Sequence, residues 1–319
     1  MTSDFATYRH LRQCSTTKGL FSVLAIDHRG VLLTDMEKAR EKPITRQDVI
    51  ELKRAIIHHL ADEATAVLTD PEYGFAAFTQ SGISGGKGLL SPLEVTDYTP
   101  HPSQRLTNFI ENWDVSKIKS AGGSGVKLLL YFHPDAENAQ FQTDLVDSII
   151  EQCKVHRIPF FLEPIGYSLD PQNSLSNEER RQVVIESVRH FTARGIDILK
   201  AEFPLDVKQQ PDESVWADAL DELNSASEVP WTILSAGVTY DIFLRQTILA
   251  CKAGASGVMV GRAVWAEALP LTGEALQQFL ATTGKARMSA LTAICNLYGT
   301  SWMDKIGSPA LAENWFQTF

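Results

Sequence analysis

Short apolar runs recur along the chain, and each one ends in polar or charged residues. Their nearly continuous apolar character is typical of strands that are buried on both faces, as in a parallel sheet. We therefore predict one strand for each run. The predicted strands are Ser22–Asp27, Ala66–Asp70, Gly88–Leu90, Gly125–Phe132, Pro159–Pro164, Asp197–Phe203, Trp231–Ser235 and Gly257–Val260.

In several of the segments between these runs, the sequence predicts a helix. Ser176 and Glu179 form a capping-box pattern, which marks the start of a helix before the sixth run. Another helix is predicted over Tyr240–Lys252, with Gly254 as its stop signal. The helix after the first run is predicted from the repeat of Val49, Leu52, Ile56 and Leu60.

The regular alternation of strand and helix predicts an α/β fold, and the number of βα units favours a (β/α)8 TIM barrel over an open sheet. An open doubly wound sheet usually carries a G-x-G-x-x-G turn after its first strand, whereas the first strand here leads into Asp27-His28-Arg29-Gly30. We expect residues 1–319 to form a single barrel domain with a helical extension over about 267–319, packed on the barrel exterior. Ser81–Gly88 is predicted to be a flexible loop over one barrel mouth.

Composition narrows the partners and the location. The 319 residues carry a formal net charge of −10, which argues against a nucleic-acid partner because phosphate backbones demand basic patches. No stretch approaches the ~20 apolar residues that span a bilayer, and Met1–Lys18 has no signal-type apolar run. The four cysteines show no C-x-x-C spacing, so a reducing compartment is the default. We expect a cytoplasmic protein with no membrane or nucleic-acid partner.

The predicted strands carry two unusual lysines. In a TIM barrel, catalytic residues come from the C-terminal ends of the strands. Lys200 lies in the buried sixth strand, where a lysine is costly unless it is paired or deprotonated. Burial or a neighbouring cation, for which Lys127 in the fourth strand is a candidate, favours a neutral and nucleophilic amine. The alternative for either lysine alone is a snorkelling or ion-paired side chain.

Other strand ends offer a carboxylate and two loops of small residues. Glu163 ends the fifth strand and can act as a general acid or base, although it can equally serve as a structural partner of a lysine. The ends of the seventh and eighth strands are where barrel enzymes often bind phosphate. Plain turn chemistry is the alternative for these loops. The candidate phosphate-binding residues are Ser235, Gly237, Gly261 and Arg262.

The strand-end motifs, taken in order, resemble those of the class I tagatose-1,6-bisphosphate aldolases, to which the sulfofructosephosphate aldolases are related. Any one motif is weak, whereas the whole set at matching strand ends is specific. The resemblance runs from about residue 18 to about residue 306. The motifs are LAIDHRG at 24–30, LTDPEYG at 68–74, VKLLLY at 126–131, FFLEP at 160–164, LKAEFP at 199–204, ILSAGV at 233–238 and GRAVW at 261–265.

The resemblance implies an aldehyde-lyase that uses a Schiff base and needs no metal or other cofactor. It implies cleavage of tagatose 1,6-bisphosphate, or a similar ketohexose bisphosphate, to dihydroxyacetone phosphate and glyceraldehyde 3-phosphate. Lys200 falls on the Schiff-base lysine, Lys127 on the second active-site lysine, and Glu163 on the acid/base carboxylate. Asp27 falls on the aspartate that holds substrate hydroxyls. Ser235, Gly237, Gly261 and Arg262 fall on the anion-binding loops. We also expect a homo-oligomer, either a dimer or a tetramer.

The group that binds the end of the substrate far from the ketone is less defined. His28 stands where glutamine is common in the family, and histidine can titrate near neutrality, so the substrate or its stereochemistry can differ. Arg29 and Lys87 are candidates for the second anionic group. That group is a phosphate in a bisphosphate substrate. It is a sulfonate if the protein is a sulfofructosephosphate aldolase, which would give sulfolactaldehyde.

One alternative concerns the mechanism, and two further alternatives belong to other functional classes. A metal-dependent aldolase would hold its ion with several histidines, but the chain has no H-x-x-E-H or H-x-H cluster. A non-catalytic barrel would sense a sugar phosphate and bind a regulatory partner. A phosphate-binding isomerase or epimerase would need an acid/base pair and no imine. Trapping with borohydride separates the last two from a Schiff-base aldolase.

Overall fold

The computed structural model describes residues 4–95 and 101–317. Within these ranges, eight parallel strands pair in chain order, and the last strand pairs with the first to close a barrel. The predicted TIM barrel is therefore confirmed, and each predicted strand agrees with an observed one to within a few residues. The strands are β1 Phe21–Ile26, β2 Ala66–Thr69, β3 Gly88–Pro92, β4 Gly125–Tyr131, β5 Phe160–Ile165, β6 Ile198–Ala201, β7 Trp231–Leu234 and β8 Gly257–Val260.

Helices surround the barrel and alternate with its strands. They are α1 Phe5–Gln13, α2 Gly30–Arg40, α3 Arg46–Leu60, α4 Gly74–Gln80, α5 Val115–Ser120, α6 Ala139–His156, α7 Asn177–Thr192, α8 Glu213–Ala226, α9 Tyr240–Ala253, α10 Arg262–Trp265, α11 Gly273–Phe279 and α12 Lys285–Tyr298. In the described ranges, no helix is both long and apolar enough to cross a membrane.

The helix signals in the sequence act as predicted. Ser176 accepts a hydrogen bond from the Glu179 backbone, and the Glu179 carboxylate accepts one from the Ser176 backbone, so the capping box at the start of α7 is complete. Helix α9 shows the predicted stop signal, because Gly254 directly follows it in the left-handed conformation, with φ of 116°. A residue without a side chain adopts this conformation at little cost. Local residue chemistry therefore sets the start of α7 and the end of α9.

Side-chain alternation divides the barrel interior into layers. Phe161 on β5 and Ile198 on β6 belong to an apolar cluster low in the barrel. Two residues further along the same strands, Glu163 and Lys200 point to the same side, because strand side chains alternate with a period of two. The apolar layer thus supports the polar layer at the C-terminal end from below.

The N-terminal end of the barrel is covered by two segments from distant parts of the chain. Leu11 of α1 and Trp302, which follows α12, both have no exposed surface and pack with Phe21 of β1. The Trp302 indole nitrogen donates a hydrogen bond to the Ser15 hydroxyl at 2.9 Å, and its ring lies 5.1 Å from that of Tyr8. Large aromatic side chains thus fill this end with apolar volume.

The glycine-rich loop before β3 lies at the same, N-terminal end. The Gly86 carbonyl accepts a hydrogen bond from Gln13, which ends α1, and the Lys87 ammonium donates to the Ala64 carbonyl at 2.8 Å. Lys87 precedes the first residue of β3, whereas substrates of this fold bind beyond the last residues of the strands. The prediction that Lys87 binds the second anionic group of the substrate is therefore wrong.

Candidate active site

Four predicted catalytic and substrate-binding residues meet inside the C-terminal half of the barrel. Asp27 follows β1, Lys127 lies on β4, Glu163 on β5 and Lys200 on β6. Each has less than a tenth of its surface exposed. The parallel register pairs Leu129 with Glu163, which places that carboxylate one layer above Lys127. The barrel therefore gathers ionisable groups that are far apart in the sequence.

Lys127 is the centre of this group. Its ammonium lies 3.0 Å from Asp27 Oδ2, 2.7 Å from Glu94 Oε1 and 2.9 Å from Glu163 Oε2. The same Glu163 oxygen lies 2.8 Å from the Lys200 ammonium. Glu163 consequently bridges the two lysines through one atom, and a proton can pass between Lys200 and Glu163 without any rearrangement.

Glu94 is a member of the site that the sequence did not reveal. It lies two residues after β3, is 2% exposed, and makes the shortest of the three carboxylate contacts with Lys127. The third strand was predicted to end at Leu90, so the carboxylate after it was not considered as a strand-end residue. Its position just beyond a buried strand was the available signal.

Electrostatics fix the charge of this group. Burial disfavours the Lys127 ammonium, but the neighbouring Asp27, Glu163 and Glu94 outweigh burial and raise its pKa well above the usual value. Burial likewise disfavours the charged carboxylates. Lys127 and Lys200 nevertheless lower the pKa values of both Asp27 and Glu163. Lys127 is thus a permanent cation, and Glu163 is ionised and able to accept a proton at neutral pH.

His28 lines the cavity above this layer. Burial lowers its pKa to about 4, and the charges of Arg262 and Lys53 act in the same direction while Asp27 opposes them. Its ring packs edge-on against Trp265, with 5.5 Å between ring centroids. The expectation that this histidine can titrate near neutrality is not met, because its surroundings keep the imidazole neutral.

The turns after β7 and β8 form the opposite wall of the cavity. Ala236 and Gly237 both have positive φ, 44° and 78°, which turns the backbone sharply after Ser235. The Arg262 guanidinium packs directly over Gly237, where a Cβ atom would lie 3.3 Å from its central carbon. Only a glycine permits this close approach without a shift of the arginine. Ser235, Gly237, Gly261 and Arg262 all line the cavity, as the prediction of an anion site requires.

The cavity has a volume of about 320 Å³, which suits a small substrate. Lys200 and Glu163 form part of its wall, whereas Asp27 and Lys127 lie beneath it. Tyr131, at the end of β4, contributes to the side facing the turns after β7 and β8. The cavity thus brings together a lysine amine, a carboxylate and the hydroxyl, backbone and guanidinium groups of the two turns in one space.

Arg29 does not lie where a substrate ligand was expected. It is 5% exposed, donates to the Glu94 carbonyl at 2.6 Å, and lies 3.6 Å from Glu72 Oε1. It is not among the residues that line the cavity. Its contacts connect the loops after β1, β2 and β3, so the placement does not support direct contact with substrate.

A second buried ion pair supports the loop after β1. Lys53 of α3 pairs with Asp70, and its ammonium also donates to the Ile26 carbonyl at 2.7 Å and the His28 carbonyl at 2.8 Å. These contacts hold the backbone on both sides of Asp27. Within residues 4–95 and 101–317, no group of three histidine, cysteine or acidic side chains is placed so that it could hold a metal ion.

Comparisons with known proteins agree with this arrangement. Tagatose 1,6-diphosphate aldolase 2 of Streptococcus mutans serotype c is 32% identical, over 94% of this chain and 97% of that protein. Tagatose 1,6-diphosphate aldolase 1 of Enterococcus faecalis is 33% identical, over 93% of this chain and 97% of its own length.

Solved structures share the barrel. An archaeal fructose 1,6-bisphosphate aldolase superposes with a TM-score of 0.61 at 17% identity, covering 90% of this chain and 99% of that one. A Schiff-base-forming fructose-1,6-bisphosphate aldolase gives a TM-score of 0.59 at 18% identity, over 88% and 99% of the two chains. At this level of identity the likeness concerns the fold. The model of the DeoC/LacD family aldolases matches residues 21–267, and with relatives above 30% identity over nearly the whole length, the chain belongs to that aldolase family.

Proposed function

We propose that the protein is a class I aldolase that cleaves tagatose 1,6-bisphosphate, or a similar ketohexose bisphosphate, to dihydroxyacetone phosphate and glyceraldehyde 3-phosphate. The observation that carries the proposal is the buried Lys200 amine, 2.8 Å from the Glu163 carboxylate, in a cavity that also contains anion-binding donors. The names of the relatives support the choice of sugar.

Imine formation begins at Lys200. Its ammonium passes a proton to Glu163 Oε2, and the free amine adds to the C2 ketone of the substrate. The carbinolamine oxygen then leaves as water when Glu163 returns the proton. Lys200 and C2 are now joined in a protonated imine, and Glu163 is again ionised.

Cleavage uses the same carboxylate as a base. Glu163 removes the proton of the C4 hydroxyl, and the C4 oxygen forms the aldehyde as the C3–C4 bond breaks. The bond electrons move to the imine nitrogen and leave an enamine on Lys200. Protonation at C3 and hydrolysis release dihydroxyacetone phosphate and restore the amine.

Lys127 and the two anion-binding turns position the substrate. The positive charge of Lys127 keeps Asp27 and Glu163 ionised, and its position beneath the cavity allows it to donate to substrate hydroxyls. Arg262 and the turn at Ser235–Gly237 bind the phosphate of the dihydroxyacetone half. Binding energy at this remote group orients the ketone toward Lys200.

Borohydride reduction in the presence of substrate tests the chemistry. Incubation with tagatose 1,6-bisphosphate and borohydride should add one reduced adduct at Lys200, located by peptide mass spectrometry. Lys200→Met should remove both the adduct and the cleavage. An adduct on Lys127 would reverse the two lysine roles, and turnover without any adduct would exclude the Schiff-base mechanism.

Two wider expectations accompany this function. We propose a homo-oligomer, a dimer or a tetramer, which light scattering after size-exclusion chromatography measures directly. We also propose that the enzyme works in the cytoplasm, where phosphorylated sugars are found. Fractionation of cells that express the chain tests this location.

A further inference from the structure

The segment that follows β2 is a strand-end motif that the proposed chemistry does not use. Its first polar residue, Asp70, directly follows β2 and has no exposed surface. Asp70 is not among the residues that line the catalytic cavity. A carboxylate buried this deeply needs partners inside the protein, because water no longer stabilises its charge. The partners of Asp70 therefore indicate its role.

The two oxygens of Asp70 face different elements. Oδ1 accepts hydrogen bonds from the backbone nitrogens of Tyr73 at 2.8 Å and Gly74 at 3.4 Å, where α4 begins. Oδ2 pairs with the ammonium of Lys53 on α3. Helix α4 packs closely on the end of β2, since a Cβ atom on Gly74 would lie 1.9 Å from the Thr69 hydroxyl oxygen. The Asp70 carboxylate is thus held by α4 on the side away from Lys53.

Lys53 connects Asp70 to the loop after β1. Its side chain has no exposed surface, and its ammonium donates to the Ile26 carbonyl at 2.7 Å and the His28 carbonyl at 2.8 Å as well as to Asp70. An ammonium has three hydrogens, so these three acceptors use all of them. Lys53 consequently has no donor left for a ligand, and its contacts fix the backbone on both sides of Asp27.

The position of Asp27 matters to the whole group of charges beneath the cavity. Asp27 Oδ2 lies 3.0 Å from the Lys127 ammonium, which lies 2.9 Å from Glu163 Oε2. The direction of the Asp27 side chain follows from the dihedral angles of the backbone that Lys53 holds. Misplacement of a catalytic group by about 1 Å can lower a rate roughly 100-fold. Loss of the Lys53 contacts should therefore reach the chemistry through Asp27.

We propose that Lys53, supported by Asp70, is a positioning residue that holds Asp27 against Lys127 without touching the substrate. The inference rests on the proposed function only for the substrate used in the assays. The motif after β2 then serves the active site from outside the cavity. It does so through two buried charges and two backbone carbonyls.

A double-mutant cycle with Asp27 tests whether Lys53 acts through that residue. Lys53→Met should lower kcat/KM with tagatose 1,6-bisphosphate roughly 10- to 100-fold. The same change made in an Asp27→Asn protein should lower it by less than about threefold, because the carboxylate that Lys53 positions is already absent. Losses that simply multiply would show that Lys53 acts independently of Asp27 and would overturn the proposal.

A second variant separates positioning from stability. Lys53→Met leaves the buried Asp70 carboxylate without its cation, which destabilises the fold. Lys53→Met/Asp70→Asn removes both charges, and the asparagine oxygen can still accept from the Tyr73 nitrogen. This variant should recover most of the melting temperature but not kcat/KM, because the Ile26 and His28 carbonyls still lack their donor. Recovery of both would mean that Lys53 is only structural. The cycle with Asp27→Asn is run in this variant if Lys53→Met is insoluble.

Lys305→Met is a matched control. The Lys305 ammonium also donates to two carbonyls that are two positions apart, Ser227 at 2.7 Å and Val229 at 3.2 Å. These carbonyls precede β7, at the end of the barrel opposite the cavity. The variant should lose melting temperature and retain kcat/KM. A loss of kcat/KM as large as that of Lys53→Met would attribute both losses to general destabilisation and refute the positioning role.

A crystal structure separates this inference from the imine chemistry, because it needs no substrate. In Lys53→Met/Asp70→Asn, the Asp27 carboxylate should lie beyond hydrogen-bond distance of the Lys127 ammonium, instead of at 3.0 Å. A displaced Asp27 in a protein whose wild type forms no adduct at Lys200 would keep this inference and contradict the proposed function. An Asp27 carboxylate that has not moved would contradict the inference, whatever reaction the protein catalyses.

Discussion

Glu163 occupies the position on which the proposed chemistry depends, because one of its oxygens contacts both lysines. Glu163→Gln removes the base and preserves the shape of the side chain. The variant should still form the imine but should stall before C–C cleavage, so that borohydride traps more adduct than in the wild type. Quench-flow experiments that measure both the trapped adduct and the released product compare the rates of imine formation and C–C cleavage.

Glu222→Gln provides the control, because Glu222 is a surface partner of Arg181 and Arg189. This change should leave both steps unaltered. If Glu163→Gln cleaves at the normal rate, Glu163 is not the base. If it forms no imine, Glu163 instead serves dehydration of the carbinolamine, and the cleavage base would have to be Asp27 or His28.

Lys127 stabilises the fold as well as the site. Lys127→Met leaves three buried carboxylates without their common cation, and removal of one partner from a buried ion pair costs about 3–5 kcal/mol. The free energy of unfolding in urea should fall by that amount. Lys154→Met, which removes an exposed partner of Glu151, should change it by less than about 0.5 kcal/mol. Any assay of imine formation in Lys127→Met therefore has to be run well below the melting temperature of that variant.

His28 should not contribute a titration near neutrality. Its pKa is about 4 in the folded chain and near 6.5 in the unfolded chain, so acidification through this window protonates the unfolded chain first and lowers stability. When the pH is lowered from 6.5 to 4, the melting temperature of His28→Gln should therefore fall less than that of the wild type. The pH dependence of its kcat/KM between pH 6 and 8 should keep the wild-type shape. A step near pH 6.5 that disappears in His28→Gln would contradict the neutral imidazole.

At this scale the sequence located residues within strands and in the short turns after β7 and β8, but it missed Glu94 and misplaced Arg29 and Lys87. Lys200, Lys127 and Glu163 were identified because charged groups in apolar runs are conspicuous. Arg29 and Lys87 carried the right charge, but loop paths and helix packing decide where such long side chains point. Glu94 was missed because the apolar run of the third strand ends at Leu90, whereas β3 continues to Pro92 and brings Glu94 to the strand end.

Closure of the barrel between β1 and β8 depends on one glycine. A Cβ atom on Gly257 would lie 1.8 Å from the Phe21 carbonyl oxygen, and its φ of 132° is unfavourable for other residues. Gly257→Ala should therefore prevent normal pairing of these strands and greatly reduce soluble yield and melting temperature. Gly85→Ala adds a Cβ atom that would have no neighbour within 4 Å among the described residues, so this change should affect neither property. A Gly257→Ala protein with the wild-type melting temperature would contradict this account of closure.

Elements with a strong repeating pattern were predictable, and their exact ends were not. The strands were found from their apolar runs, yet β3 extends to Pro92 because Ser91 is buried by its neighbours. Helix α1 was not predicted, since its nine residues are mostly polar and only Thr7 and Leu11 are buried. A π-helical turn at Leu280–Gly284, between α11 and α12, also had no local signal. Tertiary packing, absent from a local pattern, decides these features.

For the whole molecule, Trp302 connects the end of the chain to the base of the barrel. Trp302→Ala should lower the free energy of unfolding by about 3–5 kcal/mol, the usual cost of deleting a fully buried tryptophan. Because it lies at the end opposite the cavity, kcat/KM at 25 °C should be nearly unchanged while the melting temperature falls. Phe316→Ala removes a side chain that is 63% exposed and should leave both unaltered. Equal loss of activity and stability in Trp302→Ala at 25 °C would mean that the two ends are coupled.

The cover formed by α1 and Trp302 also sets an order of events during protein synthesis. The ribosome makes Trp302 after every strand and after every residue that lines the cavity. A nascent chain that has emerged only through β8 thus has Lys200, Glu163 and Lys127, but Phe21 still lacks the Trp302 ring that stacks on it. Such exposed apolar surface makes unfinished chains prone to aggregate and to bind chaperones. Chains stalled directly after β8 lack α10–α12 as well as Trp302 and should accordingly be inactive and chaperone-bound, with activity appearing only after this whole late segment docks.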